Sequence, residues 1–198
     1  MTTTLPIPDL EQARQYFART RNRVLEVTKG LTDAQWKFKP APDRWSSAQN
    51  LEHMVIVQER VLGPIREQLS QAPPPPAGSD TRKIDAIILE KIPDRSVKAK
   101  APEFLEPSGE WSLGATLERL NRNYERLSDF LDSTPDLREH VLESPPLRIV
   151  TNGEFTTMDA YQWALTVVAH DERHVRQIEE LKADPRYPSA ASGAAAMA

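Results

Sequence analysis

Apolar residues recur along this chain at alternating three- and four-residue steps in four long stretches, the pattern of amphipathic helices. The first runs from Asp9 to about Thr28. Leu10, Ala13, Phe17, Val24, Val27 and Leu31 keep the spacing, broken only at Thr20, and Glu11, Arg14, Arg19 and Arg23 lie opposite. Gly30 is a fitting C-terminal stop. The second begins at Ser46 or Ser47 and reaches about Gln71 through Leu51, Val55, Leu62, Ile65 and Leu69. Ser46 and Gln49 have capping-box spacing. Ile56 and Val57 add a strip flanking His53, so this helix is expected to be buried on two sides, and Pro64 predicts a kink or break. The third carries Leu113, Leu117, Leu120, Tyr124, Leu127 and Leu131 at 4-3-4-3-4 spacing behind a Ser112 cap. The fourth runs from about Thr157 to Ala183.

The connectors are patterned too. Residues 31–45 read as one short helical turn, with Thr32 and Gln35 at capping-box spacing, then an extended link set by Pro40 and Pro42. Trp36, Phe38 and Trp45 are too many aromatics for a free linker, so the link should pack over one end of the bundle. Pro73 to Gly78 forms a semi-rigid spacer, and Asp80–Lys91 a short helix through Ile84, Ile87 and Ile88. Residues 92–111 show no period, and so long an irregular segment suggests a cover over a site. In the connector 134–155, Ile149–Val150 reads as a brief extended piece beside an Asn152-Gly153 turn. The whole predicts an all-α protein, a four-helix bundle with a long connection between helices 2 and 3 that permits a crossover. One domain should span 1–184, followed by a small-residue, flexible tail over 185–198.

Composition narrows the function. At 198 residues the chain can bury a real core, and its formal net charge of -4 offers no broad basic face for nucleic acid or an anionic membrane. With no cysteine, disulfides, thiolate zinc sites, iron–sulfur clusters and a cysteine nucleophile are all excluded. That fits a reducing cytoplasm. The start, MTTTLPIPDLEQ, lacks the basic and apolar regions of a secretory signal, and no apolar run approaches the roughly 20 residues that span a bilayer. The 17 prolines, against 7 glycines, cluster between the periodic stretches and punctuate them.

The chemistry lies in the fourth stretch. His170 and His174 stand four residues apart, so both imidazoles share one helix face, together with Trp163, Val167 and Leu181. Such a pair alone is more often a set of core or surface residues than a ligand set. Two imidazoles on an apolar face nevertheless need partners, and His53 holds a similar position on the second helix. A metal held by His53, His170 and His174 at the end of the bundle would satisfy all three. The run His170-Asp171-Glu172-Arg173-His174 is not the HExxH of zinc proteases, since glutamate stands third. Three imidazoles on a divalent ion leave positions open for water or substrate. Zinc and nickel suit the set best, with iron and manganese also accommodated. Gln49 and Asn50 near His53 and Gln177 near His174 are candidates to orient the imidazoles, although each reads more readily as a capping or solvated residue. No acid or base stands out. Glu52, Asp171 and Glu172 are expected to face solvent, Arg60 to form a salt bridge, His140 to sit on the surface without a partner at metal spacing, and Trp111 and Trp163 to pack as core or lid.

Two motifs carry a resemblance. Pro42-Asp43-Arg44-Trp45-Ser46-Ser47-Ala48-Gln49-Asn50-Leu51-Glu52-His53 resembles the first motif of the DinB-like superfamily, a proline, then tryptophan-serine, then a helix carrying histidine. His170-Asp171-Glu172-Arg173-His174-Val175-Arg176-Gln177-Ile178 resembles its second, HxxxHxxQI, and Leu31–Pro40 resembles its lead-in. The resemblance spans helix 1 to helix 4 and weakens over 73–111. It implies a four-helix bundle, often a homodimer, with His53, His170 and His174 as ligands of a divalent metal. The chain is similar as well to the bacillithiol and mycothiol thiol-transferase branch, in which a metal activates a low-molecular-weight thiol. The implied function is transfer of such a thiol to an electrophile, or hydrolysis of a small substrate. The alternative is a non-catalytic bundle, metal-binding or metal-free, serving as a dimeric stress or binding protein.

Overall fold

A computed structural model describes residues 7–69, 71–96 and 100–189. Four long helices dominate it: α1 (Ile7–Thr28), α3 (Ser47–Leu69), α5 (Leu113–Ser133) and α7 (Ala160–Lys182). Shorter pieces are α2 (Asp33–Lys37), α4 (Thr81–Lys91) and α6 (Pro145–Val150), a 3-10 turn at Glu103–Leu105, and two strands, β1 (Val141–Glu143) and β2 (Thr157–Asp159). The fold is all-α apart from that ribbon.

The four helices close into a ring. α7 packs on α3 and α1, and α5 packs on α3 and α1 from the other side, while α4 lies against α7. Consecutive long helices are therefore not always neighbours, because α1 reaches α3 across the bundle through α2 and its extended link. The core sits inside the ring, built on fully buried Leu51, Met54, Leu120, Leu127, Leu131, Ile178 and Leu181. Each such side chain contributes about 1.5–3 kcal/mol through burial. α7 is buried along nearly its whole first half, Ala160 to Ala169, because α1, α3, α4 and β2 surround it.

Capping chemistry sets the helix starts. The Thr32–Gln35 box is formed, with Gln35 N donating to Thr32 Oγ1 at 3.3 Å and Thr32 N to Gln35 Oε1 at 3.0 Å. Ser46 and Gln49 form the same reciprocal pair at 3.2 Å each. Ser112 Oγ accepts from Ala115 N at 3.3 Å and starts α5. A further box, Asp159 with Gln162, starts α7. It moves the beginning of that helix from Thr157 to Ala160.

Three expectations are corrected. The chain contains strands: Val141–Glu143 pairs antiparallel with Thr157–Asp159, Leu142 opposite Met158. Three residues are too few to show a period of two. Ile149–Val150 is helical, not extended, because Ser144 Oγ accepts from Leu147 N at 3.2 Å and Pro145-Pro146 pre-set the first turn. Asn152 (φ 50°) and Gly153 (φ 85°) end that helix, Gly153 N donating to Arg148 O at 2.8 Å. Finally, no break falls at Pro64: α3 is one helix from Ser47 to Leu69, with Ile65 and Leu69 of its last turns buried in the core.

The 185–198 tail lies partly outside the described residues, which end at 189. Within them, Tyr187 stands edge-on to Phe38 with ring centroids 5.4 Å apart, and Pro188 O accepts from Gln35 Nε2 at 2.9 Å. Among the described residues no helix is long and apolar enough to cross a membrane.

Candidate metal centre

The cap at Ser46 fixes the first turns of α3 and places Asn50 and His53 on one face, opposite His170 and His174 of α7. The three imidazoles meet. His170 Nε2 lies 3.2 Å from His53 Nε2 and 3.1 Å from His174 Nε2. One ligating nitrogen from each ring falls within 4.8 Å of the others.

The remaining nitrogens decide what this cluster can do. His53 Nδ1 donates to the carbonyl of Leu105 at 2.7 Å, and His174 Nδ1 donates to Asn50 Oδ1 at 2.9 Å. Asn50 is itself oriented, since its Nδ2 donates to Ser46 O at 2.8 Å. A neutral imidazole has one N–H, so both of these rings present a bare lone pair at Nε2 towards His170. His170 can supply at most one proton, and its Nδ1 is buried with no partner. Facing lone pairs repel unless a cation lies between them. The donor set therefore fits a divalent metal ion.

The rings are kept neutral. Burial lowers the His53 pKa although the Leu105 carbonyl opposes it. Burial pushes His170 and His174 well down, helped by neighbouring imidazoles and by Arg173. Because the folded pKa values lie below the ordinary 6.5, the unfolded chain takes up protons first as pH falls. Stability should be full above about pH 6.5 and decline below it, with release of any bound metal. Thermal melts between about pH 5 and 8 check this; a melting temperature that rises on acidification would contradict it.

Trp45 closes one side, its ring centroid 4.7 Å from that of His53 and 5.9 Å from that of His174, nearly parallel to the latter at 23°. The irregular segment expected to cover a site does so. Leu105 belongs to its 3-10 turn, and Glu52 fastens residues 108–109 beyond that turn. Ser108 N and Oγ donate to Glu52 Oε1, both at 2.8 Å, and Gly109 N donates to Oε2 at 2.7 Å. Gly109 has φ +79°, and a Cβ there would stand 2.9 Å from Gln49 Cγ. Only glycine fits. Glu52→Ala leaves three donors without an acceptor and should lower stability by about 1–3 kcal/mol. Faster proteolysis within 103–111 would accompany it; an unchanged melt and cleavage pattern would contradict the clamp.

The carboxylates expected in solvent are buried. Glu52 is 2 % exposed and Asp171 0 %. Asp171 Oδ2 accepts from Tyr124 Oη at 2.8 Å and Gln58 Nε2 at 2.7 Å, and burial pushes its pKa up to about 8. Glu172 is held by Arg23 and Arg176. Helical periodicity hides these roles, because loop and helix neighbours cover more of α3 and α7 than their own apolar stripes suggest. Among the orienting candidates, Asn50 serves His174 rather than His53, Gln49 serves the cap, and Gln177 Oε1 is buried without a partner. The Leu105 carbonyl is a backbone group with no sequence signal.

Elsewhere, Trp163 is buried in the core, and Trp111 lies under Arg119 with 3.9 Å from guanidinium carbon to ring centroid. Arg60 is exposed and forms no ion pair among the described residues. His140 is half-buried, its Nδ1 donating to Ala72 O at 2.6 Å. Contrary to expectation it has neighbours at metal spacing, since Asp136 and Glu139 lie within ligand distance of it.

Comparison with known proteins agrees with this architecture. The family model described as the DinB superfamily matches residues 16–178, from within α1 to near the end of α7. The chain is also 28% identical over 167 residues to the Uncharacterized protein YuaE of Bacillus subtilis (strain 168), covering 84% of this chain and 94% of that protein. No solved structure matches the chain significantly.

Proposed function

The chain belongs to the DinB superfamily, and on that premise we propose that it is a divalent-metal-dependent enzyme that transfers a low-molecular-weight thiol to an electrophile. The observation that carries this reading is the convergence of the Nε2 atoms of His53, His170 and His174, with the Nδ1 atoms of His53 and His174 already engaged. A bound zinc or nickel ion would supply Lewis acidity that brings a thiol to its nucleophilic, deprotonated form near neutral pH.

The protein's own groups do the rest. Asn50 and the Leu105 carbonyl aim the rings, Trp45 shields their faces, and Glu52 anchors the covering segment. His170 is partly exposed, so the site opens on its side. Glu52, Asp171 and Glu172, the carboxylates next to the ligands in sequence, each accept from buried or charged donors, so none of the three stands ready as a free base. A thiol, with an ordinary pKa near 8.5, needs less help in losing its proton than water does. That favours thiol transfer over hydrolysis.

A cytoplasmic location and a homodimer belong to the same proposal; a light-scattering mass of one chain would remove the dimer. The activity is tested with metal-loaded protein against panels of small thiols and electrophiles, with and without chelator. Turnover that disappears on chelation supports it. No turnover across the panels, with metal present, would leave a metal-stabilised binding protein instead.

A further inference from the structure

The segment that covers the imidazoles is held without a core of its own. None of residues 100–113 is buried, and Phe104, in the 3-10 turn, is 61 % exposed. The strap over 103–111 therefore has no apolar anchor, and discrete polar contacts keep it shut. Glu52 takes its far half through Ser108 and Gly109, and Trp36 Nε1 donates to Trp111 O at 3.3 Å. At the turn itself, the bond from His53 Nδ1 to Leu105 O, at 2.7 Å, joins the strap to the site. A segment with so few buried contacts opens locally, well below the cost of global unfolding.

The bond to Leu105 depends on a tautomer. Neutral His53 carries one N–H. With the proton on Nδ1, the ring donates to Leu105 O and turns a lone pair towards the other imidazoles. With the proton on Nε2, it donates instead to His170 Nε2, 3.2 Å away, and turns a lone pair on the Leu105 carbonyl. Two acceptors at 2.7 Å repel, so this second tautomer pushes the turn off the ring. A cation on the cluster admits only the first, because a ligating nitrogen gives up its proton. We propose that metal binding and strap closure are one coupled equilibrium, in which a divalent ion fixes His53 as the donor to Leu105 and so shuts residues 103–111 over the site. The proposal rests on the divalent-metal reading of the three histidines and not on the thiol chemistry. Such coupling is reciprocal: the factor by which the ion favours the closed strap is the factor by which the closed strap tightens the ion. An orienting partner of a metal-bound histidine is worth about 10–100-fold in affinity, which sets the size of both effects.

The test is hydrogen–deuterium exchange of the full chain, metal-free and with zinc, read by mass spectrometry over 103–111, with zinc content measured on the same samples. The strap's own amides report closure. Leu105 N and Glu106 N donate to Pro102 O and Glu103 O within the turn, and Ser108 N and Gly109 N donate to Glu52. Zinc should slow exchange there about 10–100-fold in the wild type and leave it unchanged in His170→Ala/His174→Ala. Gly109→Ala opens the strap from its far end, because residue 109 has φ +79° and the added Cβ would stand 2.9 Å from Gln49 Cγ. All three imidazoles stay in place, yet zinc affinity should fall by up to the factor by which zinc slows exchange in the wild type. Ser108→Ala removes only the hydroxyl from the clamp and should move both readouts the same way by less. Zinc bound at one per chain with exchange over 103–111 unchanged, or a Gly109→Ala strap that exchanges faster while zinc affinity holds, would overturn the coupling and keep the metal site. Zinc that does not bind at all would overturn the metal reading itself, and the coupling with it.

Discussion

His53→Ala should lower turnover at least about 100-fold, because loss of a group that merely orients a ligand already costs 10–100-fold. Its effect on stability should depend on metal. In metal-free protein, removing one of three mutually facing imidazoles relieves a repulsion but also takes the donor from the Leu105 carbonyl, two effects of opposite sign that should leave the melting temperature little changed. In metal-loaded protein, the fold loses the linkage term, about 4 kcal/mol when the free ion stands at a thousandfold excess over its dissociation constant. Chelator should therefore erase the difference between wild type and His53→Ala. A difference that persists in chelator would show His53 to be a packing residue whose partners are protein groups alone.

Asp171→Leu should be the most damaging change away from the imidazoles. It strips the acceptor from Tyr124 Oη and Gln58 Nε2, both buried. Two orphaned donors cost about 2–5 kcal/mol together, a large share of the stability of a domain this size. Asp171→Asn makes the contrast. With the carboxyl pushed up to about 8, the aspartate is mainly neutral at pH 7, and an asparagine carbonyl at the Oδ2 position can accept both bonds. Its cost should stay under about 1 kcal/mol. Equal destabilisation by the two variants in urea melts would mean that Asp171 works as a buried charge.

The parts of this fold visible in the sequence are those with local causes. α1, α3 and α5 follow from three- and four-residue apolar steps, and the starts of α2, α3 and α5 from Thr32, Ser46 and Ser112. His170 and His174 share a face because a helix turn has a fixed length, and the apolar strip around His53 marks it out. The hidden parts depend on distant or backbone partners. The Leu105 carbonyl that holds His53 has no side-chain signature, and Glu52 reads as a surface charge until residues 108–109 fold over it. Asp171 reads the same way until Tyr124 and Gln58, 47 and 113 residues away, donate to it. The β1–β2 ribbon is too short to show a period, and Asp159, at its end, starts α7 three residues later than the apolar pattern does.

The most direct test of the central claim is the metal content of protein purified without a polyhistidine tag, beside that of His170→Ala/His174→Ala. Wild type should hold close to one divalent ion per chain, and the double variant, still folded by circular dichroism, under about a tenth of that. No metal in either, with both folded, would contradict the account and return the three histidines to the core.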